Sequence, residues 1–253
     1  MSGASAASSI VRYTVSIGVL LAIWAAATRL FELPPYLLPD PAAVFSTLVT
    51  ERGVLGLAAA STLRNALIGG IGGILIGVTI GCSASMFRPV RWIVEPYLGL
   101  AQSFPRESLF PLFVVWLGFG ALPKMLSSGL LACFPMAVIT LDALSSTRGD
   151  YLLLLSSWKA SRWQTFLHCR LPAAIPAMIG GLKVCLPLAL IGAVLGEFLG
   201  GSEGLGYIIV SSGSAFRVDR IFAAIVVLAA AGSGLVALVE VVRATAARRF
   251  YLE

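Results

Sequence analysis

The sequence predicts an all-α integral membrane domain, and three observations carry that reading. Of its 253 residues 58% are hydrophobic and 12% charged, against about 45–50% apolar and 25% charged in soluble domains. The apolar residues gather into six runs, each near the roughly 20 residues that a helix needs to cross the hydrocarbon core. The basic residues between those runs fall mainly on one side, as the positive-inside bias requires.

The runs cover residues 13–31, 62–87, 94–117, 122–143, 172–198 and 220–243, and together they make one transmembrane domain over residues 1–253. Arg12 and the Ala25, Ala26, Ala27 triplet give the first run some features of a cleaved leader. Its length and the five runs behind it favour a retained anchor. The second run carries Gly69, Gly73, Gly77 and Gly81 on one helix face. Such a strip serves close packing or a sliding surface between helices.

The third run is the least regular. Pro105 and Pro111 bracket Arg106 and Glu107, and irregular backbone at membrane depth is tolerated only where it is buried in protein or lines water. Charge at that depth costs about 2.5–3.5 kcal/mol on insertion scales. Arg106 and Glu107 are therefore candidates for a solute path, with a local ion pair or snorkelling as the alternative. Lys183, in the fifth run, faces the same choice between a path and the headgroups. Pro135 and Pro187 kink the fourth and fifth runs by removing a backbone donor. Glu197 ends the fifth run and precedes the glycine-rich "FLGGSEGLGY", which permits tight turns.

Placing the N-terminus, residues 88–91, residues 144–171 and the C-terminus on one side collects Arg12, Arg88, Arg91, Arg148, Lys159, Arg162, Arg170, Arg243, Arg248 and Arg249 there. That side is the cytoplasm. The net charge of +6 thus reads as topology rather than nucleic-acid binding. Cys82, Cys133, Cys169 and Cys185 show no CxxC spacing, and His168 is the sole histidine. Neither a zinc site nor a catalytic triad is suggested.

The longest cytoplasmic loop has a helical grammar of its own. In "DYLLLLSSW", Tyr151, Leu155 and Trp158 share one helix face. Ser161 followed by Gln164 is a capping-box pattern for a short helix starting at Arg162 and ending before Pro172. The loop reads as two short helices at an angle, basic and bearing aromatic residues.

"ASRWQTFLHCRLPAAIPA", residues 160–177, resembles the cytoplasmic signature loop of binding-protein-dependent ABC-transporter permeases, with Leu171 and Pro172 matching its end. The likeness extends to "LPDPAAVF", "SFPRESLFPLFVVWLGFGALPK" and "GEFLGGSEGLGYII", which resemble the branch that imports sulfonates, taurine, nitrate and vitamin precursors. The resemblance implies a type I ABC importer fold and makes residues 150–170 a coupling helix that docks on a cytoplasmic ATPase. Its docking residues would be Tyr151, Leu155, Trp158, Lys159, Ser161, Arg162, Trp163 and Gln164.

The family's Glu-Ala-Ala falls here on Leu153, Leu154 and Leu155, and its glycine on Lys159. A glycine there suits a left-handed helix end, so with lysine the break is expected to shift or tighten. The three lysines, Lys124, Lys159 and Lys183, complete no Gly-Lys-Ser/Thr phosphate loop. The resemblance accordingly implies ATP and Mg bound by two copies of a separate ATPase, with no cofactor or metal on this chain. It also implies a second permease copy, a periplasmic or lipid-anchored solute-binding protein, surrounding membrane lipid and residence in a bacterial inner membrane. A secondary transporter would need convincing midplane coupling residues or repeats, and a membrane enzyme a catalytic cluster. Neither pattern is present in the sequence.

Overall fold

The computed structural model describes residues 3–146, 155 and 157–250, and these residues form helices joined by short turns, with no strand among them. In chain order the helices are α1 (Gly3–Leu30), α2 (Pro41–Thr50), α3 (Arg52–Met86), α4 (Arg88–Ser103), α5 (Phe110–Leu117), α6 (Ala121–Ser145), α7 (Arg162–Thr165), α8 (Leu171–Gly200), α9 (Leu205–Ser214) and α10 (Val218–Phe250). A 3-10 turn over Arg106–Leu109 precedes α5, and a π-helical turn over Phe166–Arg170 joins α7 to α8.

Among the described residues four helical runs are long and apolar enough to cross a membrane: Arg52–Met86, Ala121–Ser145, Arg162–Gly200 and Val218–Thr245. The first predicted run lies in α1, whose described apolar stretch is Val15–Leu30. The third is divided between α4 and α5. Pro105 supplies no backbone donor and drives the residue before it out of the helical region, and Phe104 duly has a ψ of 130°. Leu57, Ile71, Leu75, Ile76, Ile191 and Val241 all stand exposed on the long helices. Water would penalise this outer surface, whereas lipid tails accept it.

The core lies where α3, α6 and α8 pack together. A β-carbon at Gly69, Gly73 or Gly77 would be driven into the backbone carbonyl of Met125, Gly129 or Cys133, and one at Gly81 would lie 2.6 Å from Thr140 Cβ. The glycine strip is thus the surface on which α3 meets α6 at backbone distance. Gly192 on α8 meets Ser127 and Ser128 of α6 in the same way.

Shorter elements brace one end of this core. Asp40 caps α2, its carboxylate accepting from the Ala42 N–H at 2.8 Å, with Pro41 in the first turn. Trp24 of α1 donates to the Pro39 carbonyl at 3.0 Å and lies against Phe222 of α10, with ring centroids 5.2 Å apart. Arg217 and Arg220 both pair with Glu51, and Arg217 also with Asp219, tying the α2–α3 junction to the start of α10. The Arg217 guanidinium is held more firmly charged than usual, chiefly by its hydrogen bond to Asp219 and then by that to Glu51.

Candidate functional site: the signature segment and the buried charges

The signature segment is built from local rules. Residues 147–154 and 156 lie outside the described residues, and with them Tyr151 and the Leu153 to Leu154 part of the signature. From Leu155 onward the chain closes a helical turn, the Ala160 N–H donating to the Leu155 carbonyl at 3.0 Å. This is the six-to-one bond of a Schellman end, which needs a left-handed residue just before its donor. That residue is Lys159, with φ +54°. The break therefore neither shifts nor tightens: lysine takes the conformation for which glycine is suited. The closing bond and an exposed side chain offset the steric cost of its β-carbon.

Ser161 then caps α7. Its hydroxyl accepts from the Gln164 N–H at 3.2 Å, while its own N–H donates to Gln164 Oε1 at 2.8 Å, a complete capping box. The helix does not stop before Pro172 as the sequence suggested. It passes through the π-helical turn into α8, making one continuous run from Arg162 to Gly200. The Leu171 N–H reaches back to the Phe166 carbonyl, and this wider turn absorbs the donor missing at Pro172. Trp158 is 74% exposed and Trp163 57%. Trp163 also stacks on Phe166 with centroids 5.8 Å apart, so a firmly placed apolar surface projects from the end of a long helix.

Arg106 and Glu107 occupy the 3-10 turn but form no ion pair with each other among the described residues. Adjacent residues on a helical turn do not face one another. The Arg106 guanidinium instead sits 5.9 Å over the Phe134 ring, and its buried Nε has no hydrogen-bond partner. It lines a cavity of about 360 Å³ with Phe134, Pro135, Val138 and Ile139 of α6. Glu107 is exposed.

Lys183 pairs with Glu240 of α10, a partner that sequence reading missed because 57 positions separate the two. Glu197 is 1% exposed and knits three elements together. Its Oε2 accepts from Thr62 Oγ1 at 3.0 Å and from the Gly206 N–H at 2.8 Å, while Thr62 Oγ1 accepts from the Leu205 N–H at 2.9 Å. Two side chains from long helices thus cap the first turn of α9. Gly204, at φ +110°, lies so close that a β-carbon would strike the Glu197 carboxylate, which explains the glycines of "SEGLG". Lys124 of α6, 2% exposed, donates to the Glu203 carbonyl at 3.2 Å and is the positive charge facing Glu197. Sequence reading missed Lys124 and Thr62. A lysine inside a predicted run was their only available signal.

The arrangement defines a class first. Apolar helices close-packed on glycine, a buried hydrogen-bonded carboxylate joining three of them and an aromatic-bearing projection at the end of a long helix describe a helical membrane transport domain. The fold agrees: the chain superposes on the permease of the MetNI methionine ABC transporter in an inward-facing conformation with a TM-score of 0.64 at 19% identity, covering 79% of this chain and 98% of that one. A second crystal form of that transporter gives a TM-score of 0.67 at 18% identity with the same coverage.

Sequence similarity narrows the class to a family. The profile of the binding-protein-dependent transport system inner membrane component family matches residues 73–250, and the chain belongs to that family. It is 35% identical to a probable ABC transporter permease of Haemophilus influenzae over 84% of this chain and 86% of that protein. It is 33% identical to the formylaminopyrimidine transport permease of Halalkalibacterium halodurans, over 85% and 86%. With the taurine transport permease of Escherichia coli the identity is 29%, over 85% and 82%. The protein is therefore a membrane-embedded permease component of an ABC importer rather than an enzyme, in a family that works with an ATPase and a substrate-binding protein.

Proposed function

We propose that the chain imports a small organic anion of the sulfonate or taurine type, as a homodimer served by two ATPases and an external binding protein, with both termini in the cytoplasm. The observation that carries the anion reading is Arg106, a guanidinium with a partnerless buried Nε lining a cavity walled by α6. A fixed positive charge with no counter-ion among the described residues favours an anionic solute over a neutral one. The taurine and aliphatic sulfonate permeases among its relatives, at 29% and 28% identity, support the same class.

In this mechanism the chain does conformational work. ATP and Mg bind the partner ATPases, and their closure draws together the segments bearing Leu155, Trp158, Lys159 and the Ser161 to Gln164 turn. Because α7 is continuous with α8, displacement of the segment is delivered directly to a spanning helix. The path then opens outward to receive solute, and hydrolysis resets it. The Arg106, Glu107, Lys183 and Glu197 positions would line or brace that path.

A second reading takes a pyrimidine vitamin precursor as solute, favoured by the 33% identity to the formylaminopyrimidine permease and by the Phe134 ring beside Arg106. Affinity purification in mild detergent tests the assembly. A stoichiometric ATPase should copurify and be lost when Trp158, Arg162 and Trp163 are changed to alanine, and its absence beside a well-folded wild-type chain would overturn the docking assignment. Uptake of labelled taurine against formylaminopyrimidine by the reconstituted complex separates the two solutes. In the anion reading Arg106→Gln lowers uptake at least ~10-fold, the scale of one buried charge interaction.

A further inference from the structure

The cytoplasmic segment has two faces, and only one of them carries the exposed tryptophans. The other, turned toward the α3–α4 corner, closes a cavity of about 360 Å³, within the ~300–1,000 Å³ of ordinary small-ligand sites. Four arginines line it: Arg88 and Arg91 from the start of α4, Arg162 from α7 and Arg170 from the π-helical turn. No acidic side chain of the described residues lines it. Arg91 is engaged by Glu95, whose two oxygens accept from it at 3.2 Å. Arg88, Arg162 and Arg170 have no ion pair among the described residues. Two buried polar atoms at the cavity, Arg170 Nε and Ser85 Oγ, lack any hydrogen-bond partner.

Three arginines without an ion pair among the described residues, one of them with a buried donor lacking a partner, describe an anion site, and the aromatic residues beside it point to the kind of anion. Trp92, 86% exposed, and the exposed Tyr97 project from α4 within about three turns of Arg88 and Arg91. Exposed aromatics of this kind sit at the headgroup level, and basic pockets between helices on the cytoplasmic side take anionic lipid headgroups. We propose that this cavity binds the phosphodiester of an anionic phospholipid from the cytoplasmic leaflet, clamping the coupling segment to the α3–α4 corner. The bound lipid would set the angle at which α7 leaves α8, and so the posture in which the segment meets its ATPase. The inference rests on the cytoplasmic placing of the segment. Labelling of Lys159→Cys by an impermeant maleimide, from each side of the membrane, tests that placing separately.

The full-length chain in mild detergent is titrated with phosphatidylglycerol and with phosphatidylcholine, and bound lipid is counted by native mass spectrometry. Phosphatidylglycerol should fill one saturable site at least ~10-fold more tightly, in keeping with several arginines acting on one headgroup. The preference should vanish in Arg88→Gln/Arg170→Gln and persist in Arg12→Gln/Arg249→Gln, which removes equal charge elsewhere on the cytoplasmic side. Arg88→Lys/Arg170→Lys keeps the charge and should retain part of the preference. Should the glutamine variant misfold, the wild type decides: brominated phosphatidylglycerol should quench tryptophan fluorescence more than brominated phosphatidylcholine at equal load. Equal binding of both lipids, equal loss in both charge variants, or displacement by inorganic phosphate would each overturn the proposal. The last would assign the cavity to a free anion, and displacement by added ATPase alone would assign it to an acidic partner surface.

Discussion

The two ends of α8 handle charge in opposite ways. Around Glu197 the ionic groups are buried, and the carboxylate is held by Thr62 and the Gly206 N–H, with Lys124 opposite. At the other end, Arg88, Arg162 and Arg170 line a cavity where Arg170 Nε and Ser85 Oγ are buried with no hydrogen-bond partner among the described residues. A buried charge is tolerated when its partners come from the same chain. Clustered like charge beside a partnerless donor suits a surface completed by something else. The first end is therefore a fixed joint, and the second is the end to which the proposed partners are assigned.

The largest way to break that contrast is to spoil the core that both ends share. Gly73→Leu would drive a side chain into the Gly129 backbone of α6, where no flexible neighbour can yield. Overpacking of this kind costs ~3 kcal/mol or more. The expected outcome is loss of the monodisperse peak in size-exclusion chromatography, with both ends failing together. By contrast Gly72→Ala, where a β-carbon meets nothing within 4 Å, should leave the profile unchanged.

Next in size is the fixed joint itself. Glu197→Ala strands the Gly206 N–H in a buried site and leaves Lys124 without its facing charge, for a loss of ~2–3 kcal/mol. Glu197→Gln keeps an acceptor for the Gly206 N–H and should retain roughly half of that. Thermal unfolding in detergent should rank wild type above Glu197→Gln above Glu197→Ala. Copurification of the ATPase should survive in both variants, because the proposed docking segment is untouched. If Glu197→Ala released the ATPase while remaining folded, the two ends would be coupled rather than separable.

The same contrast marks what was legible in the sequence. Local features could be read: the long apolar runs, the irregular backbone at Pro105 and the Ser161 to Gln164 capping box all depend on residues a few positions apart. Features made by tertiary approach could not. Thr62 and Glu197 are 135 positions apart, and Lys183 finds Glu240 only because α8 lies along α10. Arg106 and Glu107 show the converse, since the ion pair that adjacency in sequence left open as one alternative is splayed apart by the 3-10 turn. The arginine cavity escaped notice because its walls come from helix ends that sequence separates by about 70 residues.

The smallest and sharpest prediction concerns Lys159, where sequence and structure disagreed about a single dihedral angle. At φ +54° a residue with a β-carbon is less stable than glycine by roughly 1–2 kcal/mol. Glycine recovers less than that, because it also loses more backbone entropy on folding. Lys159→Gly should therefore raise the unfolding midpoint slightly, by ~1 kcal/mol at most. Lys159→Val, β-branched in a left-handed site, should lower it by more. If the lysine were kept only for its charge, Lys159→Gly would weaken ATPase copurification while stabilising the permease. If it merely tolerates the bend, stability and assembly would rise together. Measuring both on the same preparation separates a residue that serves the turn from one that serves the partner.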